Sequence, residues 1–169
     1  MTYLSKKTID AIEKRLYYQH NPIAFMEECV KIPTPGGSQL IKLYEPQKRI
    51  VASFLKDHNI IKLKSRQIGM STIVQAIITY IFTFYKNCVV GVVSRGGGES
   101  TDFSLKVQDM IDNLPDWIRP KYRSKRTQYF ILTNGCKLYS EAISPANPAA
   151  VFRSKSITLL IIDEAAHIR

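Results

Sequence analysis

The chain has 169 residues, 45% of them hydrophobic, enough for one ordinary domain with its own core. Lys and Arg total 24 against 14 Asp and Glu, giving a net charge of +10 and a pI near 9.6, a balance that favours a polyanionic partner such as nucleic acid without naming one. Cys29, Cys88 and Cys136 are odd in number, scattered and never paired as CxxC, which argues against a disulfide framework and a zinc site and suits a reducing cytosol. No secretory signal opens the chain, and the most apolar run, IVQAIITYIFTFY, is too short to cross a bilayer, so no membrane partner is expected.

Ile9, Ile12 and Leu16 recur at helical spacing within residues 8–18. In NPIAFMEECV, Asn21 is placed to cap a second helix with Pro22 at its first position. VKIPTPGGSQLIKLY reads as a hairpin around a Pro/Gly turn, and EPQKRIVASFLKDH returns to helical spacing through Ile50, Val51 and Leu55. Strand and helix then alternate: IIKLKS, a buried helix over about 70–85, CVVGVVS, and a helix through DFSLKVQDMIDNL. QYFILTNGCKLYSEA carries Asn134-Gly135 between apolar runs, a strong hairpin signal. SITLLIIDEA is apolar without alternation, as a strand covered on both faces would be. The expected fold is α/β: an open, mostly parallel sheet with helices on both faces, preceded by a helical and hairpin leader over residues 1–43.

Two segments carry the chemistry. In IIKLKSRQIGMSTIVQAI a strand runs through a tight polar turn into a helix, with Gly69 allowing close backbone approach and Ser71 and Thr72 supplying hydroxyls at the helix start. That layout fits a phosphate-binding loop, but Lys64 stands at the place of its first glycine and Met70 at the place of its lysine; an ordinary strand-to-helix turn is the alternative. In ITLLIIDEAAH an apolar strand ends in Asp163 and Glu164. Adjacent carboxylates at a buried strand tip call for a cation or a polar receiver, and Mg²⁺ is the natural one; the alternative is a pair of acids that simply meet solvent.

With both segments in hand, the chain resembles the large terminase subunit of tailed bacteriophages, the ATPase motor that packages double-stranded DNA into proheads. SRQIGMST is similar to the family's Walker A variant, LIIDEAAHI to its Walker B with the following catalytic Glu, and LYEPQKRIV to its adenine-side glutamine motif. NLPDWIRP and SPANPAAVFRSKS fall in matching order, so the resemblance covers nearly the whole chain. It implies an additional-strand P-loop ATPase domain, partial over residues 44–169, with ATP and Mg²⁺ as cofactors.

Residue by residue, the resemblance implies that Ser71 and Asp163 hold Mg²⁺ and that Glu164 acts on water. Arg66, Gln67, Gly69, Met70, Ser71 and Thr72 would line the nucleotide phosphates, with Arg66 supplying the charge that Met70 cannot. Gln47 would contact adenine; a glutamine on an exposed helix face is its alternative. Tyr44 is either a base-stacking ring or a core or hairpin-packing one. Arg153 matches a basic residue kept before the Walker B strand, where Ser154 replaces the usual glycine.

The implied partners are double-stranded DNA, a portal protein and a small terminase subunit, with a ring oligomer docked transiently on the prohead in the host cell cytoplasm. By the resemblance, a sequence ending at Arg169 lacks the family's inserted strand and nuclease domain, so the expectation is a fragment or truncated gene product whose own ATPase activity is weak or missing.

KYRSKR, with Lys121, Arg123, Lys125 and Arg126 around Tyr122, is either a solvated loop or a run of phosphate contacts, and SRGGGES reads as a flexible loop near nucleotide or DNA. His20, His58 and His167 are too scattered for a metal cluster. Two other readings stay open: a helicase-like ATPase of another family, and a non-catalytic nucleic-acid-binding module on a degenerate nucleotide fold.

Overall fold

The computed structural model describes residues 5–56, 69–143 and 151–163. Helix α1 spans Lys6–His20, begun by Ser5, whose hydroxyl accepts from the Thr8 N–H. Helix α2, Pro22–Cys29, starts on proline as expected. Asn21 does not cap it with its side chain; its Nδ2 donates instead to the Tyr17 carbonyl at 2.8 Å, because the end of α1 has carbonyls in need of donors. Strands β1 (Lys31–Thr34) and β2 (Gly37–Leu40) form the expected antiparallel hairpin, with Gly37 at a φ of 108°. Helix α3 follows over Glu45–Lys56.

Helix α4, Met70–Phe84, is the axis of the molecule. It is apolar on nearly every side, so it must be covered on nearly every side. Ile73, Ala76, Ile77 and Tyr80 pack with Tyr18, Phe25, Met26, Val30 and Val51 of the N-terminal elements. Ile78 and Phe82 face the sheet. Thr79 and Thr83 are buried without penalty, since each hydroxyl donates to the carbonyl one turn back, at 2.9 and 2.7 Å.

The sheet contains β3 (Val89–Ser94), β4 (Tyr122–Lys125), β5 (Tyr129–Leu132), β6 (Lys137–Ala142) and β7 (Leu159–Ile162), in the order β4-β5-β6-β3-β7. Strand β3 runs parallel to both β6 and β7, while β4/β5 and β5/β6 pair antiparallel. The sheet is therefore mixed among the described strands, not mostly parallel. The Asn134-Gly135 hairpin accounts for the β5/β6 reversal, with Gly135 at a φ of 85°. The expected strand IIKLKS lies outside the described residues.

Helix α5, Gly97–Asp112, lies with α4 on one face of the sheet: Phe103, Val107 and Ile111 join Ile78, Phe82, Val90, Val92, Phe130 and Leu138 in one core. The expectation of helices on both faces fails for the described residues, because no described helix joins the opposite face. That face is met instead by the segment before β7. The Phe152 ring sits over Gly91, so close that a Cβ there would come within 2.7 Å of it. Lys155 pairs with Glu141 and lies over the Tyr139 ring at 4.5 Å. Strand β7 accordingly alternates, with Leu160 and Ile162 half exposed on that face and Leu159 and Ile161 packed against the helix-covered core.

Two loops expected from sequence are ordered elements. Gly97–Ser100 make the first turn of α5, fixed where the Glu99 carboxylate accepts from the Gly96 N–H at 3.1 Å. Tyr122–Lys125 form the edge strand β4, where Lys125 pairs with Asp112 and lies over the Tyr122 ring. A charged edge strand discourages edge-to-edge association, which gives the basic run a structural account.

Candidate functional site

The two chemistry-bearing segments meet at one end of the sheet. Strand β7 follows β3 in parallel register to Val93↔Ile162, and the Asp163 N–H extends the ladder by donating to the Val93 carbonyl at 2.9 Å. This delivers the Asp163 carboxylate to the strand tip. From the other side, α4 begins at Gly69 in the left-handed conformation (φ 70°, ψ 22°), a turn that suits a residue without a side chain. Ser71, in the first turn, donates its hydroxyl to Asp163 Oδ2 at 3.0 Å. The contact joins residues distant in sequence, and both are only part-buried.

Gly69, at the N-cap position of α4, brings no side-chain cap of its own. The first N–H groups of a helix have no intrahelical acceptor, and together with the helix dipole they favour an anion. Beside them stand a hydroxyl and a carboxylate, hard oxygen donors of the type Mg²⁺ accepts. Met70 and Thr72 occupy the same first turn, half exposed. Among the described residues no cluster of three or more His, Cys, Asp or Glu side chains is placed to hold a metal ion.

Gln47 is brought against the same turn. It is buried, which removes the exposed-face alternative, and its Nε2 lies 3.4 Å from where a Gly69 Cβ would be. Its Oε1 accepts from the Tyr44 N–H at 3.0 Å. Gln47 is the third residue of α3, and its side chain supplies the glutamine half of a capping box at that helix start. The glutamine thus caps the entry of α3 while lying against the entry of α4, and Gln three places after the residue preceding a helix is the signal for such a cap. The Tyr44 ring is 73% exposed, so it packs neither in the core nor in the hairpin.

Arg153 is exposed, on a turn between Phe152 (φ 56°) and Ser154 (φ 65°). Ser154 keeps the left-handed backbone that a glycine would adopt freely, at a cost of order 1–2 kcal/mol. Phe152, anchored over Gly91, was missed; an aromatic residue inside the small-residue stretch AAVFRSKS was its only trace. Arg66, Gln67 and Glu164 lie outside the described residues.

Burial pushes the ionisation of several groups upward, all of them away from this site. Tyr18, Tyr80 and Tyr122 are raised chiefly by desolvation, Tyr18 also by its hydrogen bond to Glu28. Cys136 is raised to about 11, again chiefly by burial. Among the described residues no helix is long and apolar enough to cross a membrane.

No protein-family model matches the sequence. The fold is similar to that in the crystal structure of the HK97 bacteriophage large terminase, with a TM-score of 0.62 at 14% identity, over 85% of this chain and 37% of that one. The chain has a terminase-like fold and spans a little over a third of the length of that structure.

Proposed function

We propose that the chain is the N-terminal ATPase part of a phage large terminase subunit, binding Mg-ATP and coupling its hydrolysis to packaging of double-stranded DNA into proheads. The observation that carries this reading is the hydrogen bond from Ser71 to Asp163, which puts the start of α4 beside a strand-end carboxylate. The terminase-like fold supports it.

Bound Mg-ATP supplies a polarised γ-phosphoryl group for attack by water. The N–H groups at the start of α4 hold phosphate oxygens, and Gly69 keeps the backbone close. Ser71 and Asp163 would hold a Mg²⁺ ion through their oxygens. Arg66 stands in for the lysine that Met70 lacks and stabilises charge as it develops, and Gln67 adds to the phosphate loop. Glu164 takes the proton from water, a step worth about 10²–10⁴-fold in rate. Gln47 and the exposed Tyr44 ring face the base, and Arg153 senses the terminal phosphate. Portal protein, small subunit and ring assembly belong to the same reading.

Equilibrium binding of Mg-ATP to the chain tests it. Ser71→Ala and Asp163→Ala should each weaken binding by at least about tenfold, roughly 1.4 kcal/mol, without loss of the folded state. Salt-sensitive DNA binding indifferent to nucleotide and to both substitutions would overturn the reading in favour of a non-catalytic nucleic-acid module.

A further inference from the structure

Cys88 and Cys136 are remote in sequence, but the sheet seats them side by side. Val89↔Lys137 is the first registered pair of the parallel β3/β6 ladder, and the Lys137 N–H donates to the Cys88 carbonyl at 2.9 Å. One residue back on both strands stand the two cysteines. They share the helix-covered face: Cys136 is buried in the core with Leu138, and Cys88 packs against that core beside Val90. Their thiols donate to consecutive parts of one linker, Cys136 to the Tyr85 carbonyl at 3.4 Å and Cys88 to the Lys86 carbonyl at 3.6 Å. The nearby Cys88 side chain adds to the upward push on the Cys136 thiol. Cys29, by contrast, is buried in the other core, among residues of α1, α2 and α4.

Neighbouring strands lie about 4.8 Å apart, inside the Cα separation a disulfide accepts. Parallel neighbours point their Cβ atoms the same way, so those atoms would have to close by about 1 Å to reach the preferred disulfide spacing. A bond made under that constraint is strained and readily reduced, which is the behaviour of labile rather than framework disulfides.

We infer that Cys88 and Cys136 are a reversible dithiol site that takes a low-molecular-weight disulfide of the glutathione class as its oxidant. Cys88 is half exposed and meets the reagent first: its thiolate attacks one sulfur of RSSR, forming a mixed disulfide and releasing RS⁻, which takes up a proton. Cys136 then loses its proton to solvent and attacks the Cys88 sulfur, closing the internal bond and expelling a second RS⁻. The balance is two protein thiols and one RSSR giving one protein disulfide and two RSH. Because burial holds the Cys136 thiol at about 11, the second step quickens as pH rises. The closed bond would staple the linker after α4 to the β5–β6 turn, at the end of the sheet remote from Asp163.

The whole chain is treated with an aromatic disulfide such as 4,4′-dithiodipyridine, without denaturant. Two thiopyridone equivalents should appear per chain, and trypsin should then yield Asn87–Arg95 joined to Thr127–Lys137 with the mass of two hydrogens lost. Cys136→Ala should stop at one equivalent with the reagent held on Cys88, Cys88→Ser should release almost none, and Cys29→Ser should behave as the wild type. A stable mixed disulfide on Cys88 in the wild-type chain, or a link that includes Cys29 or joins two chains, would overturn the inference.

Discussion

At its C-terminal end α4 gives up its carbonyls to side chains from several directions. Arg15 donates to Thr83 at 2.7 Å, Asn134 to Phe82 at 2.7 Å and Tyr85 at 3.2 Å, and Cys136 to Tyr85. At its N-terminal end the helix starts from a glycine in a left-handed turn with no side-chain cap. Both ends carry orphan backbone groups. One set is consumed by the protein and stitches α1, the β5–β6 turn and the sheet to the helix. The other begins beside Ser71 and Asp163, where the proposed phosphate site lies. Under the proposed function, stability and ligand binding are separated along one helix, and substitutions at the two ends should fail in different ways.

The largest stability effect is expected at the stitched end. Asn134→Ala removes both donors to α4 and the oxygen that accepts from the Cys136 N–H at 3.1 Å. A loss of about 2–3 kcal/mol, at roughly 1 kcal/mol per bond, should show in denaturant melts, with Mg-ATP affinity of the folded fraction unchanged. Equal losses of stability and affinity would erase the contrast between the two ends.

Gly69→Ala is the counterpart at the open end. The left-handed φ of 70° makes it cost about 1–2 kcal/mol, and the new methyl meets the Gln47 amide at 3.4 Å. Its nucleotide affinity should fall by more than its stability, because the amide and the turn it crowds border the proposed phosphate site. A variant that melts early yet binds Mg-ATP as the wild type does would place the site elsewhere.

The smallest effect is a drift with pH. Cys136 ionises near 9 when unfolded and at about 11 when folded. A raised folded value means the buried neutral thiol contributes fully below pH 9, and its contribution is lost as pH rises from 9 to about 11. Cys29, also raised by burial, adds to the loss from pH 9, and the buried tyrosines push the same way from pH 10 upward. Melting temperatures measured from pH 8 to 11 should decline across that window, and Cys136→Ala should flatten the first part of the decline.

Much of the local architecture was legible in advance. The all-round apolar helix 70–84, the Pro22 start, the Pro/Gly hairpin and the Asn134-Gly135 reversal all follow from contacts a few residues apart, where periodicity and turn chemistry operate. SRGGGES was misjudged because glycine signals a loop, whereas Glu99 closes a helix start there. Asn21 was misjudged because two helices compete for one capping side chain.

The sequence by itself determined most of the described helices and strands, though not β4 or the first turn of α5, and it marked a hydroxyl-bearing helix start and a carboxylate-bearing strand end as the chemical features. Only the tertiary structure decided that Ser71 and Asp163 touch, that α4 and α5 share one face of the sheet while Phe152 covers Gly91 on the other, and that Cys88 and Cys136 are neighbours. The reason is register. Which residues face each other across parallel strands depends on long-range pairing and on the side to which each crossover returns, and no pattern within a single segment encodes either.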